Sequence, residues 1–243
     1  MSIILSAGLL FTNGSATQVP RLGDRADHVR FDARRLKAGT FTYRDLDGRG
    51  EVGKSEITVQ EIESSGNFRF SNISTGEFSQ RWEAIATSGF DPISARLSFG
   101  EGTGMLVFDL KYSSGRVTGF KLDRKGSVTG TMRPVADMVP PGIVDQRIDW
   151  AAVSASDLES GREFEFDVYD PGIGLSHVLA RVGGVELTQI PAGRFDTYRV
   201  TYQIAKRTGA ESYQVLVSRN APHILVRENF PDGSVSELVA VIP

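Results

Sequence analysis

The side chains able to do chemistry in this chain are few in kind. There are three histidines, His28, His177 and His223, 30 aspartates and glutamates, and no cysteine in 243 residues. The missing thiols remove disulfides, thiolate metal sites and cysteine nucleophiles together. No two histidines lie at the close spacing of an imidazole metal site, so neither a metal nor any other cofactor is expected. Acid-base chemistry remains, and His177, Asp170 and His223, each in a turn or at a strand head, are its candidates. For both histidines the competing reading is a surface or rim role. Asp145 and Asp149 share a helix face at i, i+4 with Arg147 between them, and read as a solvated charged face. No Gly-x-Ser-x-Gly elbow occurs. Gly100-Glu101-Gly102-Thr103-Gly104 precedes a strand-like run and lacks the following Gly-Lys-Ser/Thr, so it reads as a hairpin loop and not a phosphate cradle.

Aromatic residues are the other suggestive class. Phe68, Phe70, Trp82, Phe164 and Phe166 fall on strand-like runs. Such residues either fill a core or line an apolar pocket, and a curved sheet too wide for its own side chains leaves room for the second use.

The elements that must position these residues are mostly strands. The plainest is the hairpin Val185 to Ile204, turning at Pro191-Ala192-Gly193, with Val185 and Leu187 on one face before the turn and Tyr198, Val200, Tyr202 and Ile204 on one face after it. Further runs span 40–46, 55–63, 67–73, 78–87, 105–112, 116–123, 127–132, 162–169, 176–182, 211–218, 223–230 and 235–242, separated by Gly, Ser, Asn and Asp clusters. The pattern breaks after Pro140-Pro141-Gly142, where Val144, Ile148, Ala151, Ala152 and Ala155 recur at helical spacing and predict an amphipathic helix over 143–156. The expected fold is all-β, an antiparallel open barrel or strongly curved sheet, with that helix capping its open face. Residues 39–243 read as one β-rich domain.

Ahead of it, 17–38 is polar with mixed charge and reads as a leader. Ile3 to Phe11 is apolar and runs into Thr12-Asn13-Gly14-Ser15-Ala16, which makes 1–16 a signal-peptide remnant without its charged first region, and points to a periplasmic or secreted protein. The apolar run is too short to span a bilayer. A formal charge of -3 with scattered Lys and Arg offers no electrostatic footprint for nucleic acid.

From Gly142 on, the order of features resembles DUF3108, a bacterial exported domain family of unknown function. The residues that carry it are Val144-Asp145, the strand after Gly161, Val182-Gly183-Gly184-Val185-Glu186, Ile190-Pro191-Ala192-Gly193-Arg194-Phe195-Asp196-Thr197 and Gly233-Ser234-Val235-Ser236-Glu237-Leu238. The resemblance implies an antiparallel open barrel with a helix over its mouth, similar to periplasmic lipoprotein-carrier folds, and it transfers no catalytic residues. Three functional expectations follow. The first is a hydrophobic or lipid-like ligand held by Phe68, Phe70, Trp82, Phe164 and Phe166. The second is a cofactor-independent enzyme using His177, Asp170 or His223 at the barrel mouth. The third is a structural or assembly factor of the bacterial envelope, with a protein partner.

Overall fold

The computed structural model describes residues 29–77, 79–100, 104–123, 130–206 and 209–242. The 1–16 segment, most of the 17–38 stretch, His28 and residues 101–103 of the glycine-rich loop lie outside the described residues. Eight strands come first: β1 (Gly39–Asp47), β2 (Gly50–Ile62), β3 (Asn67–Gly76), β4 (Gln80–Ala86), β5 (Pro92–Phe99), β6 (Met105–Ser113), β7 (Arg116–Asp123) and β8 (Thr131–Met138). A two-residue strand, β9 (Val144–Asp145), leads through a 3-10 turn (Gln146–Ile148) into α1 (Asp149–Ser154). The chain then returns to strands with β10 (Glu163–Asp170), β11 (Gly174–Ile190), β12 (Gly193–Lys206), β13 (Gly209–Ser218), β14 (Leu225–Asn229) and β15 (Val235–Ile242).

All fifteen form one sheet, ordered β8-β7-β6-β5-β4-β3-β2-β1-β15-β14-β13-β12-β11-β10-β9. Every pairing is antiparallel except β9 on β10. The chain therefore lays down one meander outward from β1 to β8, and a second that ends with β15 back against β1. Consecutive strands can pair in this way because their connections are short and rich in turn residues. The sheet curls but is not closed, so the fold is an open, barrel-like curved sheet.

Several elements depart from their sequence pattern, each for a local reason. β5 has no counterpart among the expected runs, because its residues PISARLSF alternate poorly and only Ala95 and Ser98 are buried. Residues 127–129 of the run expected at 127–132 lie outside the described residues; β8 takes up its last two residues and continues to Met138 through Pro134, which an edge strand tolerates because it need not donate on its outer side. The runs at 176–182 and 185–190 are one strand, β11, with a bulge at Gly183-Gly184. Burial on β11 stays on the even-numbered residues through the bulge, from Val182 to Thr188 and Ile190, and it is β12 that changes parity, from Val200 to Thr197, so Val185 and Leu187, the apolar pair of the hairpin's first arm, are exposed.

The helix is six residues long rather than fourteen. Val144 and Asp145 are taken into the ladder with Val168 and Tyr169, and the Asp145 side chain accepts from the Arg147 amide to start the 3-10 turn. At the far end Ser154 and Ser156 donate back to the carbonyls of Trp150 and Val153, the local bonding that competes with helix continuation. The helix is enclosed on all sides. Its predicted apolar stripe is buried, and so are Asp149, Trp150 and Ser154 on the face expected to meet solvent.

Gly119 shows how tightly the sheet is curled. It has φ +144, and a Cβ there would lie 2.0 Å from the Asp109 carbonyl oxygen on the neighbouring strand. Gly119→Ala is expected to lower unfolding stability by about 2 kcal/mol or more in a urea titration, combining positive-φ strain with the clash. Gly48→Ala, with open space around its Cβ, is the control and should shift stability by less than about 0.5 kcal/mol.

Candidate functional site

The inner face of the curl carries three groups of side chains, and the first is aromatic. Phe68 and Phe70 of β3 and Phe164 and Phe166 of β10 are buried, as is Trp82 of β4. Phe90, in the turn between β4 and β5, lies 5.4 Å from Phe70 centroid to centroid. Phe31 closes the gap between the two sides, with centroids 5.9, 6.3 and 5.1 Å from Phe90, Phe164 and Phe166 in edge-on contacts. The result is a continuous row of rings, Phe68-Phe70-Phe90-Phe31-Phe164-Phe166, from β3 to β10. Four of the five residues expected to line a pocket are in it, and the chain's own Phe31 and Phe90 fill the space between them. Trp82 stands outside the row, opposite Asn72 and Leu97.

Phe31 belongs to the stretch read as a polar leader. There Ala33 and Leu36 are buried and Phe31 is half-buried. The segment is tied down by hydrogen bonds from the Asp32 amide to the Ala155 carbonyl, the Ala33 amide to Ser88, and the Lys37 amide to His223. The Arg35 guanidinium donates to the Ser156 carbonyl and pairs with Asp157.

The second group bridges the sheet's two ends. Asp145 is fully buried; one oxygen accepts from the amide and Nε of Arg147 at 2.9 and 2.5 Å, and the other accepts from the Tyr112 hydroxyl at 2.6 Å. The Arg147 guanidinium also pairs with Asp170, donates to the Tyr169 carbonyl at 3.0 Å, and lies 4.6 Å over the Phe108 ring. Burial alone would lower the Arg147 pKa, but Asp145 and Asp170 more than offset it and hold the group charged. Burial and the adjacent Asp145 raise the Tyr112 hydroxyl, so it stays a donor. Tyr169 donates across to Asp137 of β8, and Lys121 of β7 reaches the Pro171 carbonyl at 2.5 Å. The solvated-face reading of Asp145 and Asp149 is thus overturned: both are buried, Asp145 under the Arg147 and Tyr112 contacts and Asp149 in a helix whose six residues are all buried.

The third group is a pair of carboxyls. Asp149 at the start of α1 and Glu228 on β14 are both buried, and the Tyr202 hydroxyl lies between them, 3.5 and 3.4 Å from their nearest oxygens. Burial pushes Asp149 up to about 7 and Glu228 up to about 8. Tyr202, stacked on Tyr213 at 5.2 Å, is held well above its ordinary value by burial and by these carboxyls.

The acid-base candidates are not brought together. His177 sits half-exposed between Asp167 at 2.9 Å and Glu165 at 3.4 Å. Asp170 is engaged by Arg147 and by the amides of Gly172 and Ile173. His223 is buried against the Ser218 carbonyl, and burial lowers its pKa. Sequence reasoning missed the roles of Phe31, Arg147, Tyr202 and Glu228: Phe31 lies in a charged stretch, Arg147 and Glu228 sit among other polar residues, and Tyr202 reads as one more residue of an alternating strand face. The space enclosed by Phe41, Tyr43, Trp150 and His223 amounts to about 10 Å³, room for about one water. A wider cleft of about 330 Å³ is lined by Ile73, Ser74, Gln80, Arg81 and Gly100.

Arg147→Ala would strand the buried Asp145 charge, and a loss of about 3–5 kcal/mol is expected in chemical denaturation. Arg147→Lys should recover only part of it, because one ammonium cannot serve Asp145, Asp170 and the Tyr169 carbonyl at once.

The chain is similar to solved structures at low identity. A beta-barrel-like protein of the DUF1849 domain of unknown function from Brucella abortus superposes with a TM-score of 0.52 at 13% identity, over 86% of this chain and 98% of the other. A putative exported protein with a YmcC-like fold from Bacteroides fragilis has a TM-score of 0.38 at 13% identity, covering 88% and 100%. A putative lipoprotein from Parabacteroides distasonis has a TM-score of 0.34 at 14%, covering 88% and 99%. No curated protein matches the chain. The family model described as "Protein of unknown function (DUF3108)" matches residues 30–237, which take in Phe31, the whole seam and both buried carboxyls, and the chain belongs to that family.

Proposed function

We propose that this chain is an exported, non-catalytic binding protein that holds an apolar chain or ring against the inner face of its curved sheet. The observation that carries the reading is the ring row closed by Phe31. Four strand-borne phenylalanines converge from two distant strands, and a half-buried side chain from outside the sheet sits between them. A guest that displaced Phe31 would meet a ready-made aromatic lining, with Trp82 near its edge, and would gain about 25 cal/mol per Å² of apolar surface removed from water. The segment 29–36 would then act as a lid that lifts as the guest enters. Export rests on the apolar run 3–11 and the small polar residues after it.

N-phenyl-1-naphthylamine is the probe of choice for this lid. The folded protein is expected to bind it and Phe31→Ala to bind it several-fold more tightly, while circular dichroism of the two stays alike. Native mass spectrometry and solvent extraction of protein purified from its own host should reveal a co-purifying apolar molecule. Absence of both dye binding and extractable apolar mass would rule the reading out.

A second reading, a docking component of the envelope, is favoured by the outer face of β7 and β8. There Phe120, Leu122, Met132, Pro134, Ala136 and Met138 share one face, with Phe120 56% and Met138 71% exposed. A protein partner on this face predicts that a photo-crosslinking residue at Met138 captures one defined envelope protein, and that the same residue at exposed Arg81 does not. Equal capture at both positions would speak against it.

A further inference from the structure

Two acidic side chains pressed together in a protein interior need either a cation or a proton. Asp149 and Glu228 are both buried, and among the described residues neither forms an ion pair. They come from different elements, α1 and β14, and meet through one hydroxyl on β12. We infer that Asp149, Tyr202 and Glu228 form a proton-held latch that keeps α1 inside the barrel, and that losing the proton loosens α1 and the segment bonded to it. The inference extends the lid reading by naming what governs the lid, although the latch itself requires no guest.

The groups facing the pair set its balance. Asp149 accepts from the Trp150 amide at 2.6 Å and feels the Arg147 charge, and both favour ionisation. Burial opposes it, and Asp145 adds to that opposition. Glu228 is disfavoured as an anion by burial, by Asp149 and by Asp45 of β1, with only the Tyr202 hydroxyl favouring it. Tyr43 of β1 and Tyr213 of β13 also face the pair, and both are held protonated chiefly by burial. One cation, already committed to Asp145 and Asp170, therefore cannot neutralise the pair.

The sign follows from linkage. Both carboxyls bind protons more tightly in the fold than their ordinary values of 3.8 and 4.5. Their stabilising contribution is full below those values, declines as pH rises, and is gone once pH passes about 7 for Asp149 and about 8 for Glu228. Above that range two anions share one pocket. The route outward is short, since the carbonyls of Ala155 and Ser156 at the end of α1 accept from Asp32 and Arg35 of the Phe31 segment.

Trp150 lies beside Asp149 and reports on α1, and the chain holds two tryptophans. In Trp82→Phe protein, acrylamide quenching of Trp150 should rise about twofold between roughly pH 5.5 and 9, with its midpoint between about 7 and 8. In Glu228→Gln or Asp149→Asn on that background it should stay flat. A flat profile in the parent, or an unchanged rise in both variants, overturns the latch. Carbon-detected NMR titration of the unaltered chain serves where a variant does not fold: a buried carboxyl titrating above about pH 6 supports the latch, and none doing so overturns it. Neither measurement involves an apolar ligand, so a failed dye experiment and a failed latch are told apart.

Discussion

The fold depends on how an unclosed sheet is held shut. Its two ends, β8 and β9 with β10, share no backbone ladder, and what joins them is side chains: Tyr112 to Asp145, Tyr169 to Asp137, Lys121 to the Pro171 carbonyl, and Arg147 over Phe108. Arg147 is central because it alone touches Asp145, Asp170, Tyr169 and Phe108. Burying a guanidinium and a carboxylate costs several kcal/mol per ion, so such a site persists only when nearly every donor and acceptor is matched. Here both oxygens of Asp145 are used. The network therefore specifies closure more than it stabilises it, since misplacing any strand at the seam would leave a charge unpaired in a dry interior.

That same closure explains which parts of the structure could be read from the sequence. The hairpin at Pro191-Ala192-Gly193 and the turns at Asp170-Pro171-Gly172 and Pro231-Asp232-Gly233 were legible because turn chemistry is local. The family was legible from the same residues, though only over the C-terminal part, while the match extends back to residue 30. The position of the helix was legible and its length was not: helical spacing at Val144, Ile148, Ala151, Ala152 and Ala155 cannot reveal that Val144 and Asp145 pair with a strand formed later in the chain. The continuation of the edge strand β8 beyond Met132 was not legible because its outward residues are the apolar ones, which inverts the pattern that marks a buried face.

The candidate site was half legible for a related reason. Period-2 alternation shows which face Phe68, Phe70, Phe164 and Phe166 share, but nothing in it gives the distance across a curved sheet. Whether they line a void or meet in a core is decided by Phe31 and Phe90. The first sits in a charged stretch with no apolar period, and the second in a turn at φ +69. Glu228 carries no signal in the sequence, because an acidic residue between Arg227 and Asn229 has nothing to mark it as buried until β14 is placed between β13 and β15.

The interior is thus divided by chemistry. One side is a dry row of rings whose contacts weaken only when a ring is displaced; the other holds two carboxyls and three tyrosines whose contacts change when a proton leaves. The two sides meet at α1 and its exit, where Trp150 and Asp149 are adjacent in sequence and the Ala155 carbonyl holds the Phe31 segment. A well-filled core resists gradual deformation, so a change on the acidic side can reach the aromatic side only by a discrete shift of the element between them. The shortness of α1 matters for that reason. Six residues, with Ser154 and Ser156 bonding back at one end and Asp145 capping the turn ahead of the other, form a unit short enough to shift as one body.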